Sequence, residues 1–165
     1  MRAFVGDADP GVPPVTALTI RTATPADAEA LHELYSCHLT ANPPKERQDM
    51  AVWREKLVRF AEDSGYHLLV GEVDGRVVSS VTLIVIENLT RNMSPYAVIE
   101  NVVTHTDFRG RGYAAQLMDK ASGIAGEAGC YKIMLLTGSK LDSTLRFYEN
   151  CGYNKDDKTG FIKWL

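Results

Sequence analysis

Long apolar runs are missing from this chain: across its 165 residues no stretch approaches the ~20 apolar residues that a membrane-spanning helix requires. Cysteine is scarce and odd in number. Cys37, Cys130 and Cys151 are widely spaced and form no CxxC pair, which argues against a disulfide framework or a zinc site and suits reduced thiols. Charge of one sign is not in excess either: 18 Lys and Arg against 21 Asp and Glu leave −3, so no basic field recruits nucleic acid. His32, His38, His67 and His105 show no metal-ligand spacing; His105 reads as a surface residue, and no metal is expected. The opening Met1-Arg2-Ala3-Phe4-Val5-Gly6-Asp7 is broken by acids and prolines, where a secretory signal needs an apolar stretch. The expectation is a cytoplasmic protein without membrane or nucleic-acid partners, in which the sequon Asn88-Leu89-Thr90 has no meaning.

What is present describes one globular unit. A 45% apolar and 24% charged composition over this length supports one domain with a real core and is short for two. Residues 1–15 hold three of the seven prolines and no periodicity, so they read as a flexible arm before a domain spanning 16–165. Ala17 to Arg21 reads as a first strand. Thr24 and Asp27 spell a capping box with Pro25 at the first helical position, so a helix starts there and buries Ala28, Leu31, Leu34, Tyr35 and His38. A second helix is expected over Lys45 to Glu62, with Met50, Trp53, Leu57, Phe60 and Ala61 on one side.

Two β-branched runs come next, His67 to Val73 and Arg76 to Val85, joined by Asp74-Gly75, a strong hairpin signal. Asn88 to Pro95 reads as a loop, and Ala97 to Thr104 as a fourth strand. A third helix over Ala115 to Ala128 buries Ala114, Leu117, Met118, Ala121, Ile124, Ala125 and Ala128. Tyr131 to Leu136 is a fifth strand. Leu141, Leu145, Tyr148 and Cys151 mark a fourth helix ended by Gly152, and Gly160 to Trp164 looks like a last strand. The order β-α-α-β-β-β-α-β-α-β is a mixed α/β (α+β) domain, its sheet antiparallel first and parallel around strands four and five.

The segment richest in chemistry is Phe108-Arg109-Gly110-Arg111-Gly112-Tyr113-Ala114-Ala115, between the fourth strand and the third helix. A glycine turn there aims several backbone N–H groups at one spot, at the positive end of the helix dipole. A pyrophosphate fits that arrangement, and Arg109 and Arg111 bring charge. A phosphate-loop NTPase is excluded because no Gly-Lys-Ser/Thr follows. A dinucleotide fold is formally allowed by Gly110-x-Gly112-x-x-Ala115, but no acid closes the next strand, Leu135-Leu136-Thr137.

Arg109-x-x-Gly112-x-Ala114 resembles the acyl-CoA signature of the GNAT superfamily of N-acyltransferases. Phe147-Tyr148-Glu149-Asn150-Cys151-Gly152-Tyr153 resembles that family's F-Y-x-x-x-G-F/Y segment, and Ile99-Glu100-Asn101-Val102-Val103 falls on the strand that binds pantetheine in the superfamily. The resemblance covers roughly residues 17–164 and implies a single GNAT-like domain using acetyl-CoA as co-substrate. It implies that backbone groups of Val102, Val103 and Thr104 bond the pantetheine amides at an edge made by a bulge and a splay between strands four and five. It implies pyrophosphate on the amides of Gly110, Arg111, Gly112, Tyr113 and Ala114, with the Arg109 side chain on a phosphate or in solvent. Many relatives carry Asn where this chain has Leu141, and Ser143 or Thr144 is the candidate substitute.

Tyr148 is the candidate proton donor to the departing thiolate, against the plainer reading of a core tyrosine. Glu100, an acid in an apolar strand, is the candidate base or substrate-orienting group, or else one half of a salt bridge. Asn101, Tyr96 and Arg91 are acceptor-side candidates, with Trp53, Arg54 and Asn92 beside them. Ile99 to Val103 and Cys130-Tyr131-Lys132-Ile133 look like glucosamine-6-phosphate N-acetyltransferases, which carry Ile-Glu-Asp-Val-Val at the first place; Asn101 departs from that Asp. The expected activity is acetyl transfer to a primary amine of a small molecule, an amino sugar or small amine foremost. A non-catalytic acetyl-CoA sensor and a protein N-acetyltransferase are the alternatives. The resemblance also raises a homodimer, because superfamily members often pair through C-terminal strands.

Overall fold

Arg21 ties the first strand to the first helix. Its guanidinium donates to both carboxylate oxygens of Asp27 at 2.8 Å and to Glu72 Oε2 at 3.0 Å, joining β1 (Thr19–Thr22), the start of α1 (Ala28–Glu33) and β2 (Tyr66–Val73). The capping pair is present: Thr24 N–H donates to Asp27 Oδ2 at 2.7 Å. The computed structural model describes residues 17–40, 43, 45–46 and 48–165; the arm expected at 1–15 lies outside them. After Pro25–Asp27, which form a 3-10 turn, α1 runs into a wider π-helical turn at Leu34–Leu39. α2 is Met50–Glu62 and starts later than expected, because Asp49 caps it with Oδ1 accepting from Ala51 N at 2.8 Å.

The sheet is five-stranded, in the order β1-β2-β3-β4-β5, with β3 at Arg76–Ile86, β4 at Tyr96–Thr104 and β5 at Ile133–Leu135. Its first four strands pair antiparallel, and β4 pairs parallel with β5. Asp74 (φ 50°) and Gly75 (φ 79°) make the expected hairpin turn. α3 (Thr90–Met93), in the stretch read as a loop, is a single turn that is left-handed at Arg91, Asn92 and Met93. α4 is Tyr113–Glu127 and α5 is Asp142–Asn150.

Period-2 alternation sends neighbouring side chains to opposite faces. Leu68 and Val70 pack with Leu31, Leu34 and Leu57 under α1 and α2, while Leu69, Val81, Leu83 and Ile99 pack with Leu117, Met118, Ala121 and Ala125 of α4. β3 is buried without a break from Val77 to Leu83 because both its faces are covered. Each such buried leucine or isoleucine contributes about 1.5–3 kcal/mol. No helix among the described residues is long and apolar enough to cross a membrane.

Two features of β4 set the shape of the sheet at its β5 side. Ser80 pairs with Val103 and Thr82 with Glu100, so the single residue Val81 faces both Asn101 and Val102. This is a bulge, and Asn101 sits at its left-handed corner (φ 53°), a conformation asparagine tolerates better than most residues. β5 pairs only with Ala97, Val98 and Ile99. Beyond Ile99 the two strands part, giving the bulge and splay expected from the sequence.

The last expected strand is not formed. Residues 160–165 carry no strand, and Phe161 and Trp164 are 90% and 85% exposed. The physical reason lies in β5: with only Ile133–Leu135 in ladder geometry, it offers the tail little edge to pair with.

The ion pair and the bulge can each be tested through stability. The Arg21 hydrogen bond, foremost, holds the Asp27 carboxyl below the usual carboxylate range. Its stabilisation is therefore full above about pH 4 and is lost as the pH falls through the lowered folded value. Asp27→Asn should cost about 1–3 kcal/mol at neutral pH, with a deficit in urea melts that shrinks in acid; a deficit constant with pH contradicts this. Asn101→Val should cost about 1–2 kcal/mol for its left-handed backbone while Asn101→Gly stays close to the parent; equal losses would show that the bulge conformation is not what matters.

Candidate active site

The turn between β4 and α4 begins where His105 N donates to Val78 O at 2.8 Å and passes through a 3-10 turn at Thr106–Phe108. Gly110 and Gly112 both have φ 76°, and a Cβ on either would meet nothing within 4 Å. Glycine is used here for its backbone angle, not for space. Gly112 caps α4, which starts two residues before the expected Ala115, so the amides of the turn lead directly into the positive end of a helix. The Tyr113 side chain is 1% exposed among Val73, Val78, Leu18 and Phe108, so only its main chain faces the turn.

Neither arginine projects freely from this turn. Arg109 Nε donates to Thr104 O at 3.1 Å and Nη2 to His38 O at 2.9 Å, pinning the turn to the end of β4 and to the π-helical turn. Arg111 Nη2 donates to Asp107 O at 3.2 Å, and its guanidinium lies 5.2 Å over the Phe108 ring. At the end of β4, Val103 O accepts from Ser79 Oγ at 2.8 Å and Thr104 O accepts from Arg109 Nε.

Where β4 and β5 part there is a cleft of about 850 Å³, whose lining includes Val98, Glu100, Ser122, Leu135, Leu145, Tyr148 and Tyr153. The two residues with expected chemical roles thus share one cavity. The half-buried Tyr148 phenol has its pKa raised, first by burial and then by Cys151 and Glu100, so it keeps its proton through neutral pH. Glu100 is exposed on the wall of this cleft and forms none of the ion pairs seen among the described residues. Residues 110–114 are not part of the lining. Ser143 is exposed and also outside it, and Thr144 Oγ1 is engaged by Ser139 Oγ at 3.1 Å.

The acceptor-side candidates do not converge. Arg91 lies 5.8 Å over the Tyr131 ring and Lys132 5.3 Å over Tyr96, in a cluster at the closed end of the β4–β5 pair. Asn101 instead lines a separate pocket of about 210 Å³ between the sheet, α1 and α2, together with Tyr35, Trp53, Phe60, Tyr66 and Thr82. Trp53 is held there by Nε1 donating to Gln48 Oε1 at 2.7 Å, while Arg54 pairs outside with Glu29. Tyr35, Tyr66 and Thr82 were not expected as site residues. Only the strand register, which sets Leu68 and Glu100 either side of Thr82, could have revealed them.

His105 is not a surface residue. It is 8% exposed, its ring lies 4.0 Å from that of His38, and Arg76 Nη2 donates to its Nε2 at 2.8 Å. Among the described residues, Glu33, His38 and His105 form one group whose donor atoms lie within 4.8 Å of one another. Arg76, 3.3 Å from Glu33 Oε1, supplies a positive charge to that group. Burial, then His105, lowers the His38 pKa.

Comparison with known proteins agrees with this geometry. The acetyltransferase (GNAT) family model matches residues 28–153. Glucosamine 6-phosphate N-acetyltransferase of Trypanosoma brucei brucei is 27% identical over 143 residues, 86% of this chain and 92% of that protein. Glucosamine 6-phosphate N-acetyltransferase 1 of Dictyostelium discoideum is 25% identical over 61% of this chain, and the match spans 64% of its own length. A solved structure from Agrobacterium tumefaciens str. C58, provisionally named an acetyltransferase, superposes with a TM-score of 0.80 at 37% identity, covering 89% of this chain and 99% of that one. The family model takes in the splayed strands, the glycine turn and Tyr148 together, and on that match the chain belongs to the GNAT family as an acetyl-CoA-dependent N-acetyltransferase.

Proposed function

We propose that this enzyme moves the acetyl group of acetyl-CoA to a primary amine of a small molecule, by direct attack within a ternary complex. The observation that carries this reading is that Tyr148 and Glu100 line one cleft, opened where β4 leaves β5. The amides from Gly110 to Ala114 take the pyrophosphate, and the edge Val102 to Thr104 takes the pantetheine arm as an added strand would. Arg109 holds the turn in place. Ser143 is assigned no contact.

In the cleft the amine lone pair attacks the thioester carbonyl carbon, a C–N bond forms and the C–S bond breaks. The protonated Tyr148 phenol gives its proton to the departing sulfur, and Glu100 accepts the proton lost by the amine, directly or through water. A sensor that only bound acetyl-CoA would need neither group. Glucosamine 6-phosphate, the acceptor in the names of the curated relatives, is the first substrate to try. Two copies pairing through their C-terminal segments would cover Phe161, Ile162 and Trp164, which are exposed.

Tyr148→Phe should lower kcat about 100-fold with acetyl-CoA affinity unchanged, and Glu100→Gln should lower kcat/KM most on the acidic limb. Unchanged kcat in the first, or a loss uniform with pH in the second, removes the role concerned. Light scattering should give twice the chain mass, and removal of 160–165 should give one; a monomer at the outset contradicts the pairing.

A further inference from the structure

The smaller pocket is lined by Thr82 and Asn101, the cross-strand partner and the chain neighbour of Glu100, which lines the larger cleft. Thr82 and Glu100 are direct cross-strand partners, so their side chains rise from the same face of the sheet, the face that α1 and α2 cover. Glu100 also raises the pKa of the Tyr66 phenol in this pocket, after the larger effects of burial and Tyr35, and it acts on Tyr148 in the other cavity.

The chemistry of the smaller pocket is unlike that of a sugar-phosphate site. Its walls are Trp53, Leu57, Phe60 and Tyr66, with the last two rings stacked 4.0 Å apart at 17°. Besides Trp53 Nε1, already bonded to Gln48, its polar groups are the Tyr35 and Tyr66 phenols, Thr82 Oγ1, the Asn101 amide and the Lys56 ammonium. Tyr35 OH is shared with Ser80 Oγ at 3.2 Å. Thr82, 1% exposed, has its Oγ1 buried without a hydrogen-bond partner of good geometry, although it lies near enough to the Tyr35 and Tyr66 phenols to temper their raised pKa values. Lys56 is the cation in the lining. A hexosamine phosphate would bring several hydroxyls and a dianion against these carbon walls, and each polar group left unpaired costs about 1–3 kcal/mol. A single ring or a branched alkyl group suits a space of about 210 Å³, and one hydroxyl on it would answer Thr82.

We infer that the acceptor is a primary amine carried on an aromatic or branched-alkyl body, which packs among Trp53, Phe60 and Tyr66, bears at most one hydrogen-bonding group for Thr82 Oγ1, and presents its nitrogen to Glu100. This rests on the acetyl-transfer reading above and narrows its acceptor away from amino-sugar phosphates. Trp53 and Thr82 are then specificity residues and take no part in the bond-making step.

The test is thiol release by the full chain from acetyl-CoA with phenethylamine, tyramine, isoamylamine, glucosamine 6-phosphate and spermidine, beside calorimetry of acetyl-CoA binding. The expected result is a kcat/KM for the apolar amines at least about tenfold above that for the sugar phosphate and the polyamine. Trp53→Ala should raise the KM for phenethylamine about tenfold or more and leave acetyl-CoA binding, which also reports its folding, unchanged. Thr82→Val should erase any preference for tyramine over phenethylamine. Faster turnover of glucosamine 6-phosphate or spermidine overturns this inference and leaves acetyl transfer standing, as does acetyl-CoA binding with no apolar amine consumed. No binding of acetyl-CoA overturns the reading beneath it.

Discussion

The parting of β4 from β5 is the constraint on which the site depends. A parallel pair of strands ordinarily satisfies its backbone groups along its whole length. Here the pairing stops at Ile99, and the bulge at Asn101 turns the strand just beyond that point. The free edge this creates is an unpaired ladder of the kind an extended amide-bearing ligand can complete. The same break opens the cavity that brings Tyr148, on α5, to Glu100, on β4.

Around this break the rest of the molecule acts as a brace. The core on both faces of β3 fixes the sheet, and Arg21 with Asp27 and Glu72 fixes α1 against it. The π-helical turn after α1 in turn holds the glycine turn, since Arg109 reaches the carbonyl of His38 and His38 Nδ1 meets Thr106 Oγ1 at 2.8 Å. The helical layer that walls the smaller pocket thus also positions the glycine turn. Glu100, on the wall of the larger cleft, pairs across the strands with Thr82 of that pocket.

Much of this was legible in the residues, for reasons that can be named. Asp74-Gly75 specifies its turn by local sterics, Thr24 and Asp27 specify a helix start by hydrogen bonding, and two glycines before an apolar helical stripe specify a strand-to-helix turn. Each is a short-range signal. What was not legible depends on long-range placement. His105 reads as a surface residue until His38 and Arg76 are brought to it from other elements. Tyr35, Tyr66 and Thr82 look like ordinary core positions until the register sets them around one pocket. Lys45 to Asp49 carry helix-compatible residues, but Asp49 competes as a cap and delays α2. The tail has the pattern of a strand, and β5 is too short to give it a partner.

The central claim is that the main chain beyond Ile99 is an open edge completed by the donor. Hydrogen exchange of the backbone amides, with and without coenzyme A, tests this directly. Protection should appear at Val102 to Thr104 and across Gly110 to Ala114, with little change at Ala97 to Ile99, which already pair with β5. Unchanged exchange at the open edge in the presence of saturating coenzyme A, or protection confined to other parts of the sheet, would contradict the account.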